Sequence, residues 1–220
     1  MHRQTKAALT VAAVIVIAIA SVFIVSQLRD DDRGPVAVDT PEEESTLVRD
    51  DSHILGEEGD SGVTFVEFLD FECEACGAAY PIVEDLRTEY AGRVTFVMRY
   101  FPLPGHVNAE RAARAVESAA RQGQLEAMYS RMYETQSEWG EGSEPLDDLF
   151  RSYAEDLGLD MAQYDADYAS PEVAARVQRD VDDGTKLGLQ GTPTFYIDGE
   201  LFQPQTVEDF GSALDGALGR

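Results

Sequence analysis

The stretch Gly62-Val63-Thr64-Phe65-Val66-Glu67-Phe68-Leu69-Asp70-Phe71-Glu72-Cys73-Glu74-Ala75-Cys76 decides how this sequence folds. Its first nine residues are β-branched and aromatic, with glycine before and a polar turn after, which predicts a buried strand. From Cys76 to Tyr90 the pattern changes to helical spacing, with Ala79, Val83 and Leu86 recurring on one face and Gly92 closing the segment. A second strand is predicted at Val94-Thr95-Phe96-Val97-Met98-Arg99-Tyr100. Strand, helix and strand of this size form a βαβ unit with parallel strands.

Beyond this unit, residues 107 to 188 read as helical almost throughout, broken at Gly123, at Gly140 to Pro145, at Gly158 and at Ser170-Pro171. Four or five helices fit there, enough for a lobe. Ser170-Pro171-Glu172 has a capping serine with proline at the first helical position. The chain returns to strand at Thr194-Phe195-Tyr196-Ile197-Asp198, turns at Gly199-Glu200 into a short strand at Leu201-Phe202, and ends in a helix over Thr206–Leu218.

Upstream, Ala7 to Val25 are uncharged and relieved only by Thr10 and Ser21. As a helix these 19 residues reach roughly 28 Å, the thickness of a bilayer's hydrocarbon core. Arg3 and Lys6 precede them, which predicts a cytoplasmic N-terminus (1–6), a transmembrane signal-anchor (7–25) and an exported remainder. The alternative is a signal peptide cleaved after Ala18-Ile19-Ala20, but the apolar run continues past that point through Val22-Phe23-Ile24-Val25. Residues 26–61, with Asp30-Asp31-Asp32, Glu42-Glu43-Glu44 and two prolines, read as an acidic flexible linker in which Thr46-Leu47-Val48-Arg49 can pair as a short edge element. The folded domain is then expected over 62–219.

Residues 30–220 carry all 42 acids and 14 basic residues, a formal charge of -28. A surface this negative repels phosphate backbones and argues against a nucleic-acid partner.

The chain has only two cysteines, Cys73 and Cys76, placed where a strand gives way to a helix. A thiol at a helix start faces unpaired amides and the positive end of the dipole, so its thiolate is favoured. A second thiol one turn later can resolve a mixed disulfide. Cys73 is therefore read as the attacking residue and Cys76 as the resolving one. A metal site is the weaker reading, since beyond the two thiols there are only His2, His53 and His106, and His2 falls on the other side of the membrane. No cofactor is called for. A purely structural disulfide closing so small a loop would add little. Glu67, six residues before Cys73 in an apolar strand, is expensive to bury and is read as a proton acceptor near Cys76, against the plainer reading of an edge-facing residue. Glu74 and Ala75 form the dipeptide that tunes the pair; the charge of Glu74 opposes a Cys73 thiolate while suiting the helix dipole. Thr192-Pro193 precedes the late strand and is placed to face an extended client. His106 is read either as a cap of the helix starting near Val107 or as a group near the thiolate, and Tyr129, Met132 and Trp139 as core residues before groove residues.

The order strand, Cys-x-x-Cys at a helix start, strand, helical insertion, then Gly191-Thr192-Pro193-Thr194-Phe195 before a hairpin resembles the DsbA-like branch of the thioredoxin superfamily over residues 62–219. The resemblance implies a thioredoxin fold with a helical insertion at about 107–188, here preceded by one transmembrane helix. It makes Cys73 and Cys76 the attacking and resolving cysteines, Glu67 the buried acid, Pro81 the proline that kinks the first helix, and Pro193, after Thr192, the substrate-side cis-proline. The segment Tyr100-Phe101-Pro102-Leu103, with His106 and Asn108-Ala109, resembles the family's entry into its insertion. Many relatives have proline after the first cysteine; Glu74-Ala75 departs from that.

The expected activity is thus thiol–disulfide exchange outside the cytoplasm, donating disulfides to reduced exported proteins, with a membrane redox partner that reoxidises the pair. A reductase or isomerase of similar fold, and a membrane-anchored binding or assembly module, are the alternatives.

Overall fold

Alternation along β2 (Val63–Leu69), which follows the short strand β1 (His53–Ile54), sends side chains to both faces of a sheet. Val63, Phe65 and Leu69 join the larger apolar cluster with both cysteines, whereas Val66 and Phe68 pack on the other face against Val97, Phe101 and Tyr196. Glu67 is in phase with Phe65 and Leu69, so it points to the cysteine side. The computed structural model describes residues 47–140 and 142–219. The expected N-terminus, the anchor at 7–25 and the linker as far as 46 lie outside the described residues. Among those described, no helix is long and apolar enough to cross a membrane.

Helix α1 (Glu74–Glu89) follows β2, with Cys73 at its N-cap, Pro81 inside it, and Cys76, Ala79, Val83 and Leu86 as its buried stripe. β3 (Val94–Tyr100) then pairs parallel with β2 in the register Val63↔Val94 to Leu69↔Tyr100. Six helices follow: α2 (Ala109–Ala120), α3 (Leu125–Glu134), α4 (Gln136–Trp139), α5 (Asp147–Asp156), α6 (Met161–Tyr168) and α7 (Pro171–Lys186). Four or five were expected; the extra one is the short α4. Ser170 caps α7 as its sequence requires, its hydroxyl accepting the Val173 amide at 3.1 Å. β4 (Thr194–Ile197) lies antiparallel to β2, β5 (Glu200–Phe202) lies antiparallel to β4, and α8 (Glu208–Leu218) ends the chain. The sheet order is β1-β3-β2-β4-β5.

Two expectations change. Residues 47–61, read as the end of a linker, belong to the fold: β1 pairs antiparallel with β3, Leu55 is buried, and Arg49 grips Asp183 with two bonds of 2.6 and 2.7 Å. The edge element is His53–Ile54; Leu47 and Val48 form no strand, and Leu47 packs on the smaller apolar cluster. A two-residue strand among acids has no periodicity to betray it. The terminal helix also starts later, at Glu208, because the Asp209 carboxylate accepts the Gln205 and Thr206 amides, both at 2.8 Å, and holds them outside it.

Candidate active site

The end of β2 and the start of α1 bring Cys73 and Cys76 to one end of the sheet, both as free thiols. Cys73 is 9 % exposed and Cys76 fully buried. The Thr192–Pro193 bond is cis, and the Cys73 thiol donates to the Thr192 carbonyl across 3.4 Å. The two thiols differ sharply in acidity. A hydrogen bond from Cys76, helped by Thr192 and the Cys76 and Ala75 amides, outweighs burial and brings Cys73 down to about 5. The Thr192 hydroxyl has no other hydrogen-bond partner among the described residues. Burial, then the bond given to Cys73 and the charge of Glu67, push Cys76 far up. One sulfur is a ready nucleophile and leaving group; the other keeps its proton.

Glu67 is 4 % exposed on the same face as the cysteines, not at an edge. Burial first, then the charges of Glu84 and Cys73, raise it to about 8. A carboxylate poised there can hold or take up a proton near neutrality. Glu74 and Ala75 are exposed, so water screens the charge of Glu74.

Asp70 ties this turn together. Its amide donates to Cys76 Sγ at 3.5 Å and its carbonyl accepts the Cys73 amide at 3.1 Å. Its carboxylate accepts the amides of Glu72 at 2.8 Å and Leu103 at 2.9 Å. His106 Nδ1 lies 2.6 Å from the same carboxylate, so His106 neither caps α2 nor bonds a sulfur. Burial lowers its imidazole pKa, but the hydrogen bond and charge of Asp70 outweigh that and raise it.

A family model described as thioredoxin matches residues 49–216. The chain belongs to the thioredoxin family. That match starts near Arg49, in keeping with the folded place of residues 47–61. A thioredoxin-like oxidoreductase from Silicibacter pomeroyi DSS-3 is 29 % identical, with a TM-score of 0.66 over 81 % of this chain and 98 % of that one. BdbD from Bacillus subtilis in its oxidised form is 20 % identical, with a TM-score of 0.68 over 77 % of this chain and 94 % of that one, a likeness of fold. Among curated proteins, the Na(+)/H(+) antiporter NhaA of Herminiimonas arsenicoxydans is 37 % identical over 151 residues, 67 % of this chain and 22 % of that protein. The chain spans about a quarter of the length of the curated relatives it matches.

The fold brings Cys73, Cys76, Glu67, Thr192 and Pro193 together at one end of the sheet. Tyr129, Met132 and Trp139 are buried and serve packing. Beside Thr192 runs a groove of about 430 Å³ whose lining, including Leu187, Leu189, Pro193, Tyr196 and Leu201, carries no charged side chain. Among the described residues, no three histidines, cysteines or carboxylates form a metal-ligand set. Sequence reasoning missed Asp70 and Gln136. Asp70 carried a signal, a carboxylate at the very end of a buried strand; Gln136, in a four-residue helix, carried none.

Proposed function

We propose that this chain is a membrane-tethered thiol–disulfide oxidoreductase that works outside the cytoplasm and donates disulfides to reduced exported proteins. The observation that carries the reading is the acidic Cys73 thiol at the start of α1, facing the Thr192 carbonyl at 3.4 Å. Starting from the Cys73–Cys76 disulfide, a client thiolate attacks Cys73 Sγ. The sulfur–sulfur bond of the pair breaks, and Cys76 leaves with the electron pair and takes a proton. A second client thiolate then attacks the client sulfur of the mixed disulfide, and Cys73 leaves as a thiolate. Two electrons have passed from client to enzyme, and a membrane redox partner removes them. When Cys76 instead attacks the mixed disulfide, the client is freed reduced; Glu67 is the acceptor for the Cys76 proton in that step.

A leaving group of low pKa departs fast, and a stabilised thiolate favours the reduced enzyme, which makes the disulfide oxidising. The exposure of Glu74 supports that direction, because its charge acts on Cys73 mostly through water. The uncharged groove beside Thr192 suits an extended client segment. Residues 7–25, with Arg3 and Lys6 before them, support the tether.

Equilibration of the purified protein with glutathione buffers tests the direction. A potential above about -200 mV is expected, and one below about -250 mV overturns a donor of disulfides in favour of a reductase. Recovery of the intact N-terminus in the membrane fraction is expected, whereas a mature N-terminus near Ser21 overturns the tether.

A further inference from the structure

The turn that presents Cys73 is held from outside, by a side chain of the helical insertion. Gln136 opens α4 and is 9 % exposed. Its Nε2 donates to the Phe71 carbonyl at 2.7 Å and to the Cys73 carbonyl at 2.9 Å. The Cys73 carbonyl also accepts the Gly77 amide at 3.0 Å, closing the first turn of α1. One carboxamide therefore fixes both ends of the Phe71-Glu72-Cys73 segment and the point where the helix begins.

Gly77 shows how closely the two parts fit. A Cβ at position 77 would stand 1.9 Å from Gln136 Oε1. Glycine inside a helix is unfavourable in itself, so its presence one turn into α1 is accounted for by the seat it leaves to Gln136. The Ala75 and Cys76 amides, in that same turn, favour the Cys73 thiolate, and their aim depends on where the turn is pinned.

We propose that Gln136 is a positioning residue for the redox pair, pinning the Phe71 and Cys73 carbonyls so that the first-turn amides of α1 stay aimed at Cys73 Sγ and add to its reactivity. The proposal rests on reading Cys73 as the attacking thiol. It also gives the insertion a role in the chemistry besides covering the sheet.

The test replaces the donor while keeping the shape, Gln136→Met, in the full chain. Two quantities are read: the pH midpoint of Cys73 alkylation and the potential against glutathione. The midpoint is expected to rise by about one pH unit, with a matching fall in oxidising power. A folded Gln136→Met protein whose midpoint and potential equal those of the parent overturns the proposal. Should that variant fail to fold, Gly77→Ala, which drives Gln136 off its seat, and Gly77→Ala with Gln136→Ala, which restores space but not the donor, face the same criterion. Both are expected to shift the midpoint upward, and an unshifted double variant overturns the proposal equally. The midpoint needs no client, so absence of exchange in the parent protein would sink the functional reading while leaving this measurement to decide on Gln136.

Discussion

The Thr192 carbonyl oxygen lies 3.4 Å from Cys73 Sγ, although 119 residues of chain separate the two. The sheet makes the meeting possible. β2 and β4 are antiparallel neighbours paired as far as Phe68↔Thr194, so the chain leaving β2 and the chain entering β4 pass each other at the same end. The helical insertion closes that long excursion without disturbing the pairing. The Cys73 sulfur and the Thr192 carbonyl are thereby brought together by strand register.

Acidity at Cys73 should be visible as pH dependence. Its thiol falls from the ordinary 9.0 to about 5, so the reduced protein gains stability that is fully present above about 9 and lost as pH falls through about 5. The disulfide form has no thiol to titrate, and Cys76, pushed up, stays protonated in this window. The excess in melting temperature of reduced over oxidised protein should therefore shrink between pH 7 and pH 4. Calorimetry on both forms checks this, and an excess that grows on acidification would sink the assignment.

Cys76→Ala should do two things at once. It should accumulate mixed disulfides through Cys73, because no resolving thiol remains. It should also raise the pH midpoint of Cys73 alkylation, because the largest cause of that thiol's acidity is the bond from Cys76. Non-reducing gels and a pH series of alkylation rates read these separately. A trapped client with an unmoved midpoint would mean that Thr192 and the helix amides dominate instead.

How much of this was legible in the sequence follows from the kind of signal each residue leaves. β2, α1 and β3 announce themselves because burial of both sheet faces imposes near-continuous apolar runs and burial of one helix face imposes an apolar period near four. Glu67 stood out as the one acid in such a strand, and its phase with Phe65 and Leu69 assigns it to the cysteine side. Thr192-Pro193 was legible by composition. Gln136 and the bond from His106 to Asp70 were not, since a polar side chain that meets a distant backbone or carboxylate follows no period. β1 escaped for a related reason: two half-buried residues in an acidic stretch give no pattern, and their place is set by the open edge of β3.

Glu67→Gln separates a catalytic burden from a structural one. Raised from 4.5 to about 8, Glu67 destabilises the folded protein increasingly as pH climbs from 4.5 towards 8, since the native state binds the extra proton. Glutamine removes that cost, so the variant should be more stable than the parent at pH 8, by on the order of a few kcal/mol, and should match the parent at pH 4. It should also release mixed disulfides about 100-fold more slowly at pH 7, having lost the acceptor for the Cys76 proton. Melting curves at the two pH values and stopped-flow release rates test both; a variant that resolves at the parent's rate removes Glu67 from the mechanism.

Arg99→Met tests the other face of the sheet. Arg99 is fully buried, its Nε 2.8 Å from Asp180, one terminal nitrogen 2.6 Å from Asp183, and its guanidinium 5.2 Å from the centre of the Phe68 ring. Removing it leaves two buried carboxylates short of a partner, a change that costs roughly 3–5 kcal/mol when nothing else compensates. Compensation exists: Arg49 still holds Asp183, and Arg176 stands 2.7 Å from Asp180. The lower end, about 3 kcal/mol, is therefore expected in denaturant unfolding. Because Arg99 sits with Phe68, opposite the face that carries Cys76, the alkylation midpoint of Cys73 should stay where it is. Adding Asp180→Asn should recover part of the loss, since the stranded charge goes with it. A loss under about 1 kcal/mol would show that Arg49 and Arg176 alone suffice to neutralise the pair.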